Sequence, residues 1–430
     1  MENKKNAIVF AGGGSKGAYQ LGVWKALNEL GESFSIATGT SIGSINAAFY
    51  VQNDYAAAEK MWGEVTAGDI MTNGINLDVS FESIVSQKDN LVPFFKNYLN
   101  AKSVDNTPFL NMILKYFSPD KFFSSDIDFA LMTAMFEGHM VGHIPTDVIP
   151  VEITKEDMRL AGENAWKWIG ASCACFPVFP PMEIEGKSYV DGGFYDNIPV
   201  ASAIKLGAEK IVVVDLNTDN CHEGYIRHPA VTYIKPSKDL GAFLNFSRDV
   251  LDRSVRLGYN DAMKAYGKYL GRLFTFLCED DFREKLTEIS QVFLTILSKA
   301  EAEFDFSGKI RFQRVNKLEG CTTILASYME KTAPSEEDIF VAAAEFFLRA
   351  IGYDDEKEYD ISALLYHLKT EVDSLYPLLE FDTESAFVKV KEFIKNYVKK
   401  VKTADSKKYD EDRLLLIYTS FMRALQRVRL

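Results

Sequence analysis

Ser35-Ile36-Ala37-Thr38-Gly39-Thr40-Ser41-Ile42-Gly43-Ser44-Ile45-Asn46-Ala47-Ala48-Phe49-Tyr50 is the stretch on which the reading of the fold rests. Ser35 to Thr38 has strand character. The small-residue run from Ser44 reads as a helix that continues to Met61. Between them Gly39 to Gly43 matches G-x-S-x-G, the sequence form of a nucleophile elbow, in which a serine sits at the apex of a sharp strand-to-helix turn. Side chains two residues either side of that serine would crowd the turn, which suits Gly39 and Gly43. The helix that starts just beyond Ser41 presents unsatisfied N–H groups, and these favour negative charge nearby. Such a short match arises by chance in long chains, so its meaning depends on its surroundings.

Upstream lies Ala7-Ile8-Val9-Phe10-Ala11-Gly12-Gly13-Gly14-Ser15-Lys16-Gly17-Ala18-Tyr19. A strand-like apolar run ends in glycines and passes into a helix over 18–30. A glycine turn feeding a helix N-terminus aims backbone N–H groups into a concavity. That is a geometry able to hold the oxyanion of an acyl-transfer intermediate. Downstream lies Tyr189-Val190-Asp191-Gly192-Gly193-Phe194-Tyr195-Asp196-Asn197-Ile198-Pro199. Here a carboxylate ends a short strand, and two glycines let the chain turn away at once. Asp191 is placed to serve as base for a serine.

Together and in this order, the three segments resemble the patatin-like phospholipase family. Its marks are a G-G-G-x-[KR]-G oxyanion loop, a G-x-S-x-G serine and a D-G-[GA] aspartate. Gly12-Gly13-Gly14-Ser15-Lys16-Gly17, Gly39 to Gly43 and Asp191-Gly192-Gly193 match them in turn. The segment from Ala171 through Ser172-Cys173-Ala174-Cys175 to Phe179-Pro180-Pro181 is similar to the small-residue run ending in F-P-P that precedes the family's aspartate. The resemblance covers roughly residues 5 to 270 and implies a Ser–Asp dyad in an α/β sandwich that hydrolyses acyl esters of lipids. Carried onto this chain, Ser41 is the nucleophile and Asp191 the proton acceptor. Gly12, Gly13 and Gly14 form the oxyanion hole, with Gly12 shaping the loop and Gly13 and Gly14 donating. Gly17, Gly39, Gly43, Gly192 and Gly193 support the turns. The scheme requires neither metal nor cofactor, and no EF-hand-type ligand series is visible.

The histidines are consistent with a dyad. A Ser-His-Asp site needs a histidine within reach of the serine. The five here are His139, His143, His222, His228 and His367, and none follows a strand at an obvious catalytic position. His139 and His143 are four apart, but Gly138 and Gly142 argue against a helix presenting both to a metal. His222 and His228 fall in a polar, turn-like stretch. Without a histidine, Asp191 takes the proton itself. A free aspartate, with a pKa of about 3.9, is a weak base, and burial would strengthen it.

Two other functional classes compete. Gly12, Gly14 and Gly17 also satisfy G-x-G-x-x-G, the dinucleotide fingerprint. That fingerprint wants an acidic residue at the end of the second strand, where this chain has the Gly39 to Gly43 elbow instead. Glu32 precedes that strand, and no G-x-x-x-x-G-K-[ST] occurs. The other reading is a catalytically inactive or regulatory module that keeps the fold to bind lipid, against which stand the intact serine, aspartate and glycines.

Composition frames these readings. The chain has 430 residues, 47% hydrophobic and 13% aromatic, enough for a full core and more than one domain. A formal net charge of −13 argues against broad nucleic-acid binding. The polar start and the short apolar run after it do not make a signal-peptide core. No apolar run is long enough to span a bilayer. Five cysteines (Cys173, Cys175, Cys221, Cys278 and Cys321) show no framework spacing, which suits reduced thiols in a soluble cytoplasmic protein.

Strands are expected at Ala7 to Ala11, Ser35 to Thr38, Asp128 to Phe136, Pro150 to Thr154 and Lys210 to Leu216, alternating with helices. The expectation is a three-layer α/β/α sandwich with a mainly parallel sheet. Asp215 ends the clearest strand and reads as a turn former. An insertion over about 70–125 carries Phe94, Phe95, Phe109, Phe117, Phe122 and Phe123 among Pro93, Pro108 and Pro119. It fits either a lid lining an acyl channel or a helical cap with its own small core. The hydrolase domain thus spans 1–270.

Over 271–430 strand signals fade apart from Gly308 to Arg314. Apolar residues recur at helical spacing in Phe282 to Leu297, Glu337 to Ile351, Ile361 to Leu378, Ala386 to Val401 and Asp412 to Val428, predicting an all-helical domain of open role. Lys389 to Lys402 carries six lysines and a short apolar face with Phe393, Ile394 and Val398. An outer face of a bundle helix explains it. Peripheral contact with an anionic membrane is the alternative. The partner expected throughout is a lipid ester substrate.

Overall fold

The computed structural model describes residues 5–71, 105–137, 140–141, 144–145, 147–176, 178–218, 223–226, 228–306, 320–331, 333–375, 388, 390–392 and 411–430. These fall into two units, Met1–Ala265 and Tyr266–Leu430.

In the first unit the strands are β1 (Asn6–Phe10), β2 (Ile36–Thr40), β3 (Asp128–Phe136), β4 (Met140–Val141), β5 (Ile144–Pro145), β6 (Val148–Thr154), β7 (Met182–Ile184), β8 (Lys187–Asp191), β9 (Lys210–Val214) and β10 (Val231–Ile234). The helices are α1 (Ala18–Glu29), α2 (Ile42–Val51), α3 (Tyr55–Glu64), α4 (Ala67–Ile70), α5 (Thr107–Tyr116), α6 (Pro119–Ser124), α7 (Lys155–Leu160), α8 (Trp166–Ser172), α9 (Val200–Lys205), α10 (Glu223–Ile226) and α11 (Arg248–Ala265). The main sheet runs β10-β9-β1-β2-β3-β8-β7, with β6 also paired to β3, while β4 and β5 form a separate two-stranded ladder.

The apolar runs explain the sheet's centre. Ile8, Val9 and Phe10 of β1 are fully buried, as are Val213 and Val214 of β9. Strands covered on both faces need such continuous hydrophobic runs rather than alternation. From β10 to β3 every neighbouring pair is parallel, and β6, β7 and β8 join antiparallel. The sheet is therefore mainly parallel, flanked by helices.

Two features of the sheet prepare the site. Phe10 pairs with Gly39, so β1 and β2 end side by side and the glycine loop leaves the sheet next to the elbow. The second is on β3. Met132 pairs with Thr40 of β2, and the next residue, Thr133, pairs with Asp191 of β8. β6 runs along the opposite edge of β3, pairing with the same two residues through Glu152 and Val151. β2 and β8 thus lie end to end on one edge of β3. One is parallel to it and the other antiparallel, so their C-terminal ends meet.

The helix expected over Ser44 to Met61 is two helices. Asn53 adopts a positive φ of 50°, and the Asp54 side chain then caps α3 by accepting from the Ala57 N–H. An Asn-Asp pair after a helix supplies both a left-handed residue and a new N-cap.

Within the insertion, Phe94, Phe95 and Pro93 lie outside the described residues. The remaining phenylalanines divide between both readings. Phe122 packs on Phe117 and on Phe129 of β3, with ring centroids 5.1 Å apart in each case, making a small core against the sheet. Phe109 instead stacks on Phe179 at 5.5 Å, toward the cleft described below.

The second unit is built of α12 (Asp280–Phe306), α13 (Cys321–Tyr328), α14 (Glu336–Ala350), α15 (Ile361–Leu375) and α16 (Glu411–Arg427) around one apolar core. The helical expectation needs one amendment. β11 (Tyr269–Leu270), β12 (Thr275–Leu277) and β13 (Glu358–Asp360) form a three-stranded sheet, so this unit is not wholly helical. The stacked rings of Phe274 and Phe276 bury that sheet's inner face. Such short strands give no periodic signal to read in advance. Gly308 to Arg314 lies outside the described residues, as does nearly all of the lysine-rich segment.

Candidate active site

Ser41 leaves β2 with φ 54° and ψ −129°, a backbone conformation unfavourable for a residue with a side chain. Close packing holds the turn. A Cβ on Gly39 would stand 2.2 Å from the Gly43 carbonyl oxygen, and one on Gly43 would stand 2.2 Å from that of Phe10. Neither position accommodates a side chain without moving the backbone. The elbow is also tied by hydrogen bonds. The Ser41 N–H donates to Ser172 Oγ at 2.9 Å, and Ser172 in turn donates to the Met132 carbonyl at 2.6 Å. The Ser41 carbonyl accepts from the Ser44 N–H at 2.8 Å and from Ser44 Oγ at 2.6 Å.

The meeting of β2 and β8 on β3 sets Ser41 beside Asp191, 150 residues later in the chain. Ser41 Oγ donates to Asp191 Oδ2 at 2.6 Å. Asp191 Oδ1 accepts from the Gly193 N–H at 2.8 Å, which fixes the orientation of the carboxylate. Gly192 lets the chain turn there, since a Cβ would come 2.2 Å from the Met132 carbonyl oxygen. Asp191 is 1% exposed. Burial pushes its pKa up to about 7, against the opposing pull of the bonds from Ser41 and Gly193.

The glycine loop lies against the same spot. A Cβ on Gly12 would be 3.1 Å from Ser41 Cβ and 2.4 Å from Asn197 Oδ1. The Gly12 N–H donates to the Asn197 carbonyl, and Asn197 Nδ2 donates back to the Gly12 carbonyl, both at 3.1 Å. Gly12 therefore shapes the loop and has no N–H left to give. The N–H groups of Gly13 and Gly14 have no hydrogen-bond partner among the described residues. Gly14 takes a φ of 59° and passes so close to Phe243 that only glycine fits. Beyond it, Ser15 is held by the carbonyls of Ala242 and Phe243. Gln20 Nε2 holds the Ala11 carbonyl at 2.7 Å, and Asn46 and Trp62 complete that buried chain of bonds. A Cβ on Gly17 would meet Ile42 and Trp62.

Ser41 opens onto a narrow apolar cleft whose walls include Ile42, Met61, Phe109, Phe179 and Phe243. Cys173 and Cys175 also line it, and burial followed by the nearby Asp191 pushes both thiols up. Asp215 is buried and accepts from the Leu216 and Asn217 N–H groups and the Tyr233 hydroxyl, a turn-holding role. His228 is exposed and accepts from the Ala230 N–H through Nδ1, and His367 is in the second unit. His139, His143 and His222 lie outside the described residues. Among the described residues no three His, Cys, Asp or Glu side chains gather into a metal-binding group.

Sequence reasoning gave no role to Ser172 or Asn197. Both lie in quoted segments, but what each does depends on contacts more than a hundred residues away. Replacing Ser172 with alanine leaves the Ser41 N–H and the Met132 carbonyl unpaired in a buried place. The expected cost is about 1–3 kcal/mol of stability, together with a fall in kcat larger than any change in KM. Urea unfolding and steady-state kinetics on a short-chain ester measure the two effects.

Residues 8–204 match the family model for patatin-like phospholipase. Lysophospholipase NTE1 of Coccidioides immitis is 27% identical over 229 residues, which are 52% of this chain and 12% of that protein. Patatin-like phospholipase domain-containing protein 7 of Rattus norvegicus is 26% identical over 221 residues, 49% of this chain and 14% of its own length. The chain thus spans a small part of the curated relatives it matches. The solved structure of VipD from Legionella pneumophila aligns with 98% of this chain and 91% of its own at 12% identity and a TM-score of 0.38, too loose a superposition to carry weight. Among the described residues no helix is long and apolar enough to cross a membrane. Residues 8–204, which hold the elbow serine, the glycine loop and the buried aspartate, thus resemble a patatin-like phospholipase domain.

Proposed function

We propose that this chain hydrolyses carboxyl esters of lipids, in the manner of a phospholipase A or lysophospholipase, through an acyl-enzyme on Ser41. The observation that carries the reading is the 2.6 Å hydrogen bond from Ser41 Oγ to a buried carboxylate whose pKa stands near 7. A base poised near neutrality accepts the serine proton far better than an exposed aspartate. As Oγ attacks the ester carbonyl, its proton passes to Asp191 Oδ2. The carbonyl oxygen, now anionic, is received by the N–H groups of Gly13 and Gly14 and by the N-terminus of α2. Collapse of the tetrahedral intermediate expels the alcohol, which takes up the proton from Asp191, and leaves the acyl group on Ser41. Water then enters, Asp191 accepts its proton, and the fatty acid departs as the proton returns to Ser41 Oγ. No residue stands between serine and carboxylate, so orientation comes from the Gly193 bond on Oδ1. The Ser–Asp dyad and the ester class belong to this proposal.

A lipid-like fluorophosphonate tests it. Intact mass of the wild type should show one adduct, mapped to Ser41, and Ser41→Ala should show none. An adduct of equal extent on both proteins, or none on the wild type, would refute an activated Ser41.

A further inference from the structure

We infer that Asn197 is a positioning residue for the oxyanion hole, and that residues 196–199 form a bracket fixing the nucleophile, the base and the glycine loop relative to one another. The inference rests on the hydrolase reading and deepens it, by naming what aims the Gly13 N–H. A peptide unit is planar and trans, so its C=O and its N–H point in opposite directions. The Gly12 carbonyl and the Gly13 N–H belong to one such unit. Asn197 Nδ2 donates to that carbonyl at 3.1 Å, which turns the Gly13 N–H away from Asn197. The preceding unit is held in the same manner. Gln20 Nε2 donates to the Ala11 carbonyl at 2.7 Å, and the Gly12 N–H donates to the Asn197 carbonyl at 3.1 Å. Two side-chain amides thus fix two successive peptide planes. A plane between two glycines needs such fixing, because without a Cβ it rotates at little steric cost. A donor stabilises an oxyanion most when it is in place before the charge develops.

Asn197 is itself held in place. Thr38 and Thr40 lie two residues apart on β2 and so share one face of the strand. Both are fully buried. The Thr40 hydroxyl donates to the Asp196 carbonyl at 2.9 Å, and the Thr38 hydroxyl to the Pro199 carbonyl at 3.1 Å. The Asp196 N–H donates to the Gly192 carbonyl at 2.9 Å, which ties the segment to the turn that carries Asp191. Beyond Pro199 the chain enters α9 at once. A buried strand has no need of hydroxyls for packing, since valine fills the same space and an unbonded hydroxyl there costs stability. Here both hydroxyls hold the backbone of the bracket. Four residues thereby connect the strand that ends at Ser41, the turn after Asp191 and the glycine loop.

The test compares Asn197→Ala, Asn197→Leu and Thr40→Val with the wild type, all as full chains. Each is assayed on p-nitrophenyl butyrate and with an alkyl trifluoromethyl ketone as reversible inhibitor. The ketone adds to the serine: the bond from Oγ to the carbonyl carbon forms, the carbonyl π pair moves onto oxygen, and the serine proton passes to Asp191. Its affinity therefore reads the oxyanion hole, while KM reads binding of the uncharged ester. Both Asn197 variants should lower kcat by about tenfold to a hundredfold. The inhibition constant of the ketone should rise by the same factor, with KM staying within about threefold. Leucine is close to asparagine in size, so its loss separates donation by the amide from packing. Thr40→Val should give the same pattern at about threefold to tenfold, and as a near-isosteric change it decides the matter if the Asn197 variants do not fold. The pH midpoint of kcat/KM, set by Asp191 near 7, should stay where it is. A kcat within about twofold of wild type in the folded variants, or a fall in kcat with unchanged affinity for the ketone, overturns the role of Asn197. A displaced midpoint overturns it too, by placing the effect on the base. Absence of hydrolysis by the wild type, with no fluorophosphonate label on Ser41, overturns the hydrolase reading itself.

Discussion

Replacement of Ser41 by alanine should reduce ester hydrolysis by about a thousandfold or more, because no other group takes the acyl chain. The fold should persist. Alanine keeps the φ of 54° and the N–H bond to Ser172 while losing only the bond to Asp191. Glycine at the same position should be equally inactive yet more stable than alanine by about 1 kcal/mol or more, since it adopts that backbone without strain. Initial rates on a short-chain ester and thermal unfolding of the two variants side by side measure both effects. Residual activity in Ser41→Ala within tenfold of wild type would remove Ser41 from the mechanism. Equal stability of the two variants would mean that the elbow is not strained.

The exchange Asp191→Asn should be nearly as damaging to activity, by about a hundred- to ten-thousandfold, and should stabilise the protein at alkaline pH. Burial raises the folded-state pKa from 3.8 to about 7. A carboxyl so shifted contributes stability that is fully present below pH 3.8 and is lost progressively as the pH rises toward 7. Above pH 7 the wild type bears the full cost of the buried charge, on the order of 4 kcal/mol by linkage. Asparagine carries no charge and escapes that cost. The variant should therefore melt above the wild type at pH 8, and the gap should close toward pH 4. The activity profile follows from the same group. Asp191 acts as base only when ionised, so kcat/KM of the wild type should climb about tenfold per pH unit below 7 and level off above it. A wild-type profile flat from pH 5 to 8, or an asparagine variant of near-normal rate, would point to another base.

Local backbone demands were legible in the sequence. Glycines at 12–14, 39, 43 and 192 announce turns where the structure leaves no room for a Cβ, and the apolar run of β1 announces a strand buried on both faces. Such features are written within a few residues, because sterics and burial act there. The break in the first long helix was equally local, in Asn53-Asp54, but helical periodicity on either side masked it.

Other properties arise from contacts between distant segments. Asp191 reads as a turn residue in isolation. It faces Ser41 because β8 enters antiparallel on the edge of β3 that β2 has just left, a matter of sheet register across 150 residues. Its raised pKa comes from burial by the whole domain. Ser172 and Asn197 gain their roles from the same convergence. Sequence determined which backbone turns are made and which residue types they carry. Tertiary structure decided which turns face one another, because strand pairing and burial depend on the packed chain while turn sterics depend on the nearest few residues.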